Sequence, residues 1–201
     1  MENWTQQPIL EHNTVQLIPM EISHKEALLK AASDGELWDL WYTSVPSEDT
    51  IENYMGTALK HKETGYQFPY VVIYKPTNTI IGTTRFDQMD PSNRRLELGY
   101  TWYAKSYQRT AVNSECKYLM LQLAFEKLNC IAVQISTNWH NHQSRAAIAR
   151  LGAKQDGVIR NHRINTDGSY RDTVIFSITN SEWISVKKNL LLNFKKHNNS
   201  N

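Results

Sequence analysis

The segment from residue 95 to residue 126 constrains the possible folds more than any other part of the sequence. Its first part alternates Leu96, Leu98, Tyr100 and Trp102 with polar or small residues, which predicts a strand with one apolar face. Its second part repeats apolar residues at helical spacing, which predicts a long amphipathic helix packed on a sheet. Because a short polar loop joins the two parts, we expect a strand that leads directly into a helix.

The helical spacing of the second part also assigns a side of the helix to each residue. The apolar stripe consists of Val112, Cys116, Leu119, Met120 and Leu123. Four charged or polar residues are predicted to face the opposite side: Glu115, Lys117, Gln122 and Glu126.

The remaining sequence predicts further strands and helices in a definite order. Further strands are predicted over residues 15–18, 69–74, 79–86, 131–135, 157–164 and 173–178. One helix begins at Ser23, with Glu26 at capping-box spacing, and others cover residues 47–65, 141–150 and 181–194. Together they predict an α/β (α+β) fold class, with a mixed, mostly antiparallel sheet of about seven strands flanked by about five helices.

Length and composition favour one globular domain over residues 1–201, with a core at about 12–185 and a polar tail at 195–201. Hydrophobic residues make up 40% and charged residues 21% of the chain, and Cys116 and Cys130 are read as core thiols. No apolar stretch approaches the about 20 residues that cross a bilayer, and the N-terminus lacks the pattern of a secretory signal. We therefore expect a cytosolic protein without a membrane partner.

The polar loop between the strand and the long helix is the first candidate binding site. A helix N-terminus carries unpaired N–H groups and a partial positive charge, and both favour a phosphate. Residues 108–113 would surround such a group. An ordinary strand-to-helix connection has the same local features, and this loop contains no glycine.

The pattern Gln108-x-x-Ala111-x-Asn113-Ser114-Glu115 resembles the pyrophosphate loop of the GCN5-related N-acetyltransferase (GNAT) superfamily, whose pattern is Gln/Arg-x-x-Gly-x-Gly/Ala. Leu98-Gly99-Tyr100, Asn141-x-x-Ser144 and Leu151-Gly152-Ala153 follow the same family order and spacing. The resemblance covers about residues 12–185 and is strongest to the branch of the ribosomal-protein N-terminal (RimJ/RimL-like) acetyltransferases. It departs from the family where Ala111 and Asn113 replace both glycines, which leaves open whether coenzyme binding is weakened.

The resemblance implies the GNAT fold and acetyl-coenzyme A as co-substrate, with no metal. It also implies a set of residues that contact the coenzyme. These are Leu98, Tyr100, Gln108, Arg109, Thr110, Ala111, Val112, Asn113, Ser114, Asn141 and Arg145. Asn141 could instead cap the helix that follows it, and exposed arginines are usually only solvated.

Two residues are candidates for proton transfer. Glu97 shares the polar face of its strand with Gly99 and Thr101, and it could take a proton from the amine through a water molecule. A strand glutamate is more often a solvated partner of an arginine such as Arg94 or Arg95. By the family resemblance, Ser144 could donate a proton to the departing thiolate, whose ordinary pKa of about 8.5 makes this help useful but not essential.

Aromatic residues mark a possible acceptor pocket. Trp38, Trp41 and Tyr42 lie in the region that borders this pocket in the family, although an aromatic cluster is usually plain core. His140 and His142 could in principle bind a metal ion, but the sequence offers no third ligand and we expect no metal site.

The sequence therefore predicts an enzyme that transfers an acetyl group from acetyl-coenzyme A to a primary amine of a small molecule or a protein N-terminus. The transfer would occur in a ternary complex. A catalytically weak binding or sensing module of the same fold is the alternative. A nucleic-acid partner is not expected, because a net charge of +2 gives no clustered basic face. The acceptor's identity stays open, and a homodimer is possible.

Overall fold

The structure, a computed structural model, describes the backbone of residues 4–165 and 167–198 and the side chains of this part as far as Phe194. It contains one eight-stranded sheet and five α-helices. The strands are β1 Leu10–Glu11, β2 Val15–Pro19, β3 Phe68–Tyr74, β4 Thr79–Asp90, β5 Arg95–Tyr103, β6 Ala132–Asn138, β7 Lys154–Ile164 and β8 Tyr170–Thr179. The helices are α1 Lys25–Ser33, α2 Ile51–Glu63, α3 Val112–Gln122, α4 His142–Leu151 and α5 Asn180–Asn198.

The sheet is mixed and mostly antiparallel, with the strand order β1-β2-β3-β4-β5-β6-β8-β7. Six neighbouring pairs are antiparallel, and β5 with β6 is the parallel pair, joined by α3 as a crossover. The predicted fold class is confirmed. The eighth strand is β1, in which Leu10 and Glu11 pair with β2. Two residues are too few to show a period-two pattern in the sequence.

The two faces of the sheet carry separate apolar clusters. On one face, Phe86, Leu98 and Met120 belong to a large cluster that also takes in α5. On the other face, Val71 and Ile51 belong to a smaller cluster with α1 and α2. Each such side chain stabilises the fold by about 1.5–3 kcal/mol when it is fully removed from water. The helices thus cover both faces, as the sequence pattern predicts.

The start of the first helical segment differs from the prediction. A short 3-10 turn at Ile22–His24 precedes α1, and the capping box joins Glu21 to His24 rather than Ser23 to Glu26. The Nδ1 atom of His24 accepts the backbone N–H of Glu21 at 3.1 Å. The prediction was wrong because histidine is not a usual partner in the capping-box pattern, whereas Ser23 and Glu26 match that pattern.

The polar side of α3 is not a solvent side. Glu115 is 3% exposed and Lys117 is 7% exposed, so these two residues, which were predicted to lie opposite the apolar stripe, are buried as well. The reason is that α3 packs against the sheet, including the strands β1 and β2 at one edge, and also against α5. A helix covered on several sides has only a narrow strip left for water.

The C-terminal helix α5 follows its predicted apolar stripe. Trp183, Val186, Leu190 and Phe194 are all buried in the large cluster. The helix backbone continues to Asn198, and the rest of the predicted polar tail, residues 199–201, lies outside the described residues. Within residues 4–165 and 167–198, no helix combines the length and apolarity that crossing a membrane requires.

Candidate active site

The centre of the sheet opens between β5 and β6. These parallel strands pair only where Arg95–Glu97 meets Ala132–Gln134. Beyond that point β5 follows β4 to Tyr103, and β6 follows β8 to Asn138. The two strands therefore separate after Glu97 and Gln134 and form a wedge. Backbone polar groups along such a wedge are available to an extended ligand, since each needs a partner when it is buried.

A β-bulge lies at the wall of this wedge. Gly99 pairs with Arg85 and Trp102 with Thr83, so Tyr100 and Thr101 together oppose one residue of β4. Tyr100 has a φ of 50°, which few residues other than glycine adopt. The predicted strict alternation is consequently wrong beyond the bulge. Trp102 belongs to the cluster under α1 and α2.

The start of α3 lies at the end of β5, next to the wedge. The helix has no side-chain cap hydrogen bond. The N–H of Val112 points to the Thr110 hydroxyl at 3.3 Å, whereas the N–H groups of Asn113 and Ser114 have no acceptor among residues 4–165 and 167–198. Uncapped N–H groups at a helix start favour an anion.

The loop before α3 is held by its own side chains. Gln108 Nε2 donates to the carbonyl of Tyr103 at 3.0 Å, and the Thr110 hydroxyl donates to the carbonyl of Tyr107 at 2.7 Å. Arg109 is exposed and has a φ of 61°, so the residue with the unusual backbone is an arginine. Gln108 and Thr110 therefore shape the loop, whatever else they contact.

The two positions where the family pattern has glycine have ordinary backbones. Ala111 has φ −66° and ψ −17°, and Asn113 lies in the first turn of α3 without a positive φ. Neither position needs glycine for its conformation. The remaining difference is the bulk that their Cβ atoms add beside the helix start.

The start of α4 follows directly from the end of β6. Asn141 Oδ1 accepts the N–H of Ser144 at 2.9 Å, so Asn141 is the N-cap of this helix. The Ser144 side chain is half-buried, and within the described residues its hydroxyl has no hydrogen-bond partner. Arg145 packs on the ring of Trp139 at 4.2 Å and donates to its carbonyl at 3.2 Å. Arg145 is therefore held in place at the N-terminal end of α4.

Glu97 lies at the point where β5 and β6 separate. Its Oε2 atom accepts from Gln88 at 2.8 Å and from Gln134 at 3.1 Å. Burial raises the pKa of this carboxyl above its ordinary value, a hydrogen bond from Ser136 opposes the rise, and the charge of Asp87 adds to it. Among the described residues Glu97 forms no ion pair. A carboxylate of this kind is suited to taking up a proton.

A cavity of about 340 Å³ borders Glu97 on the side of the β4–β5 turn. Its walls are formed by Gln88, Asp90, Arg95, Leu96, Glu97 and Gln134. The solvated-partner reading of Glu97 with Arg94 or Arg95 does not hold, since the carboxylate contacts amides and not guanidinium groups.

The predicted aromatic pocket residues separate into two groups. Trp38 packs against the apolar cluster of α1 and α2 and is partly buried. Trp41 is 57% exposed and contacts Tyr42 and His140, each with ring centroids 5.6 Å apart. Trp41 therefore links the segment between α1 and α2 to the end of β6, across the open end of the wedge.

No metal centre is found in the part of the chain that the structure describes. That part holds no group of three or more histidine, cysteine or acidic side chains placed to hold an ion. His140 instead contacts the ring of Trp41 in a tilted arrangement.

One feature of this region went unnoticed in the sequence. Arg85 is 2% exposed and lies between the rings of Tyr54 and Tyr100, at 4.1 and 4.5 Å. Its nearest polar contacts are long, at 3.4 Å to Gln67 Oε1 and to the Tyr54 carbonyl. The signal in the sequence for this buried cation is a single arginine inside the β-rich run of residues 79–86. The run itself predicts only a strand.

Known acetyltransferases share this sequence pattern. A family model described as Acetyltransferase (GNAT) domain matches residues 14–154. YdaF of Bacillus subtilis (strain 168), provisionally assigned as a ribosomal N-acetyltransferase, is 29% identical over 105 residues. The alignment covers 52% of this chain and 56% of YdaF, so it spans about half the length of that relative.

Solved structures share the fold. A provisionally assigned acetyltransferase from T. thermophilus has a TM-score of 0.79 and 28% identity, with 92% of this chain and 96% of the other covered. RimJ of Mycobacterium smegmatis, solved in complex with CoA-disulfide, has a TM-score of 0.78 and 17% identity, with 94% and 95% covered. At that identity the likeness to RimJ supports the shared fold alone.

Proposed function

The chain belongs to the acetyltransferase (GNAT) domain family, and from this premise we propose that it transfers an acetyl group from acetyl-coenzyme A to a primary amine. The observation that carries the proposal is the wedge between β5 and β6, which opens beside the uncapped start of α3. In this proposal the whole chain acts as one acetyltransferase domain located in the cytosol.

The start of α3 suits the diphosphate of the coenzyme. The free N–H groups of Asn113 and Ser114 would donate to phosphate oxygens, aided by the partial positive charge of the helix end. The wedge beyond Glu97 suits the extended pantetheine arm, whose amides can bond to unpaired strand groups. The ordinary backbone at Ala111 supports this fit, because no strained conformation has to be relieved there.

When bound, acetyl-coenzyme A would supply a thioester whose carbonyl carbon forms a bond to the amine nitrogen as its C–S bond breaks and the sulfur leaves as a thiolate. Glu97 would take the proton that the ammonium form of the acceptor must lose, directly or through a water molecule. The free hydroxyl of Ser144 would give a proton to the thiolate, and the second proton lost by the amine nitrogen as the amide forms would replace it. The backbone at the Tyr100 bulge would donate to the oxygen on which negative charge develops.

The acceptor would enter from the side of the sheet that α1 and α2 cover. Trp41 and Tyr42 lie at that entrance, and the exposed ring of Trp41 and the partly buried ring of Tyr42 could pack on the acceptor. Trp38 is then a supporting core residue. YdaF is named for ribosomal proteins, which makes a protein N-terminus one acceptor to test. A homodimer stays a prediction.

The proposal is tested by measuring thiol release from acetyl-coenzyme A with a panel of amines, peptides with free N-termini and a no-amine control. We expect release above the control for at least one acceptor, with an acetylated product that gains about 42 Da in the mass spectrum, the mass of an acetyl group replacing hydrogen. Coenzyme binding without release for any acceptor would contradict transfer and would favour the binding module.

A further inference from the structure

A second charged side chain lies on the face of the sheet that carries Glu97. Arg171 of β8 is half-buried, and its Nε atom has no hydrogen-bond partner in the described part of the chain. Burial lowers the pKa of this guanidinium, Arg163 lowers it further, and Glu97 and Tyr100 raise it. The two opposite charges of Arg171 and Glu97 therefore act on each other, yet no ion pair within 4.0 Å joins them.

Two more buried polar atoms without partners lie next to Arg171. Thr173 is two residues further along β8, on the same face, and it pairs with Asn138 at the end of β6. Asn138 is 1% exposed and Thr173 is 2% exposed. Neither the Asn138 Nδ2 atom nor the Thr173 hydroxyl has a hydrogen-bond partner among residues 4–165 and 167–198. Buried polar groups are nearly always satisfied in native structures, so this cluster needs an explanation.

The chemistry of the cluster is that of an anion receptor. A guanidinium N–H, an amide N–H and a hydroxyl can all donate hydrogen bonds, and the first two cannot accept through the atoms concerned. These three side chains belong to the face of the sheet that also carries Glu97. This follows from the strand registers, in which Gln134 pairs with Glu97 and with Ser177, and Asn138 pairs with Thr173.

Two other arginines, Arg160 and Arg85, are weaker candidates for an anion site. Arg160 is also a β7–β8 arginine, but it is paired with Asp172 and so needs no further partner. Arg85 is held between two aromatic rings and reaches Gln67, which in turn donates to the buried Asp87 at 2.7 Å. Its Nε atom also lacks a hydrogen-bond partner in the described part of the chain, but the rest of its guanidinium contacts two rings and an amide. Arg171 has no hydrogen bond or ring contact of this kind among the described residues.

We propose that the acceptor amine carries an anionic group, a carboxylate or a phosphate, which Arg171 binds together with Asn138 and Thr173 while the amine faces Glu97. This inference rests on the proposed acetyl transfer and names its acceptor class. A zwitterionic acceptor matches both unpaired charges at once, whereas an uncharged amine leaves Arg171 without a partner. Charge-assisted hydrogen bonds of this kind give discrimination of about 10- to 100-fold.

The test compares acceptors that differ in one charge. The twenty common L-amino acids are assayed for thiol release against their α-carboxamides, and O-phosphoethanolamine is assayed against ethanolamine. We expect the preferred anionic acceptor to exceed its uncharged counterpart in kcat/KM by about 10-fold or more. The two arms distinguish a carboxylate from a phosphate. Equal or better use of the uncharged counterparts in both arms would overturn the proposal.

Variants locate the effect on the cluster. Arg171→Gln should reduce the ratio of anionic to uncharged kcat/KM towards one, Arg171→Lys should retain part of it, and Thr173→Val should lower it several-fold without loss of shape. Arg160→Gln is the matched control, because its guanidinium is engaged by Asp172, and it should leave the ratio as it is. A proportionate loss for both acceptor types in Arg171→Gln, or a loss of coenzyme affinity alone, would contradict the assignment.

A binding measurement separates this inference from the proposed function. If no amine releases thiol, calorimetry with the same acceptor pairs in the presence of coenzyme A still reports on the cluster. Tighter binding of the anionic partner, lost in Arg171→Gln, would support the anion site even if transfer fails. Equal binding of both partners would overturn it.

Discussion

Two glutamates of this protein, one buried and one half-buried, have opposite surroundings. Glu115 on α3 accepts the N–H of Thr14 at 2.9 Å and its hydroxyl at 3.1 Å, and it lies 3.3 Å from His12 Nδ1. Glu97 on β5 contacts neutral amides at the opening of the wedge. The first carboxylate joins the N-terminal strands to α3. The second has no ion pair among the described residues and keeps the capacity to bind a ligand.

The largest expected effect comes from Glu97→Gln, which removes the base and keeps the shape. We expect kcat to fall about 100-fold or more, within the range of general base catalysis. Because burial raises the pKa of Glu97, its ionised form is disfavoured in the folded state, so the variant should be at least as stable at pH 7. That stability difference should vanish at pH values below the ordinary glutamate pKa. Steady-state kinetics and thermal unfolding measure both quantities, and an unchanged kcat would remove Glu97 from the mechanism.

A glutamine in place of Glu115 should lower stability and leave kcat unchanged, the reverse of what is expected for Glu97→Gln. In Glu115→Gln an amide replaces one of the two acceptor oxygens that bind Thr14, which leaves a buried donor unsatisfied. We expect a loss of about 1–3 kcal/mol in the free energy of unfolding, with kcat retained well below Tm. Denaturant titration gives the first value. A stable Glu115→Gln enzyme with a reduced kcat would break the comparison between the two glutamates.

Lys117 extends the comparison because it is a buried charge whose one polar contact in the described part of the chain is the Thr101 hydroxyl, at 2.8 Å. Burial lowers its pKa to about 8. Above that pH the folded protein releases the proton while the unfolded chain keeps it, so the wild type gains stability from about pH 8 to pH 10. Lys117→Met should therefore be more stable at pH 7, by about 1 kcal/mol or a few degrees in Tm, with the advantage shrinking over that range.

Thermal unfolding at pH 7, 8, 9 and 10 measures this trend for both proteins. An advantage of Lys117→Met that grows with pH would contradict a buried ammonium at neutral pH. Gln122→Met on the same helix is a suitable control, since Gln122 is only partly buried and carries no charge.

The smallest effect is expected for Ser144→Ala. A thiolate with an ordinary pKa of about 8.5 leaves readily, so help from a hydroxyl should change kcat by less than about 10-fold. Since the cap of α4 uses the backbone N–H of Ser144 and not its hydroxyl, the Tm should stay the same. A loss in kcat as large as that of Glu97→Gln would mean that breaking the C–S bond is the slow step.

The sequence predicted those features that repeat along the chain. The strand and helix order and the apolar stripe of α5 follow local patterns, and the structure agrees with them. Asn141 was predicted to contact the coenzyme, and the structure shows the alternative role, in which it caps α4. The resemblance in residues 108–115 also predicted a binding site at the start of α3, and the structure shows no side-chain cap there among the described residues.

Features that depend on packing between distant segments were not predictable. The bulge at Tyr100 inserts one residue into β5 and turns Trp102 to the opposite face, and no local pattern indicates it. Glu115 is buried because Thr14, 101 residues away in the chain, comes to lie against α3. The cluster around Arg171 was not predictable either, because only the strand pairing shows which buried polar atoms without partners in the described part of the chain lie beside it.

The central claim is that the free N–H groups at the start of α3 bind the coenzyme diphosphate, and calorimetry with acetyl-coenzyme A tests it most directly. The informative variant is Asn113→Asp, because an acidic residue in the first turn stabilises a helix by about 0.3–1 kcal/mol but repels a phosphate. We predict heat of association with the wild type, and about 10-fold or greater weakening in the variant with no loss of Tm. No heat with the wild type, or equal affinity for both proteins, would contradict the claim.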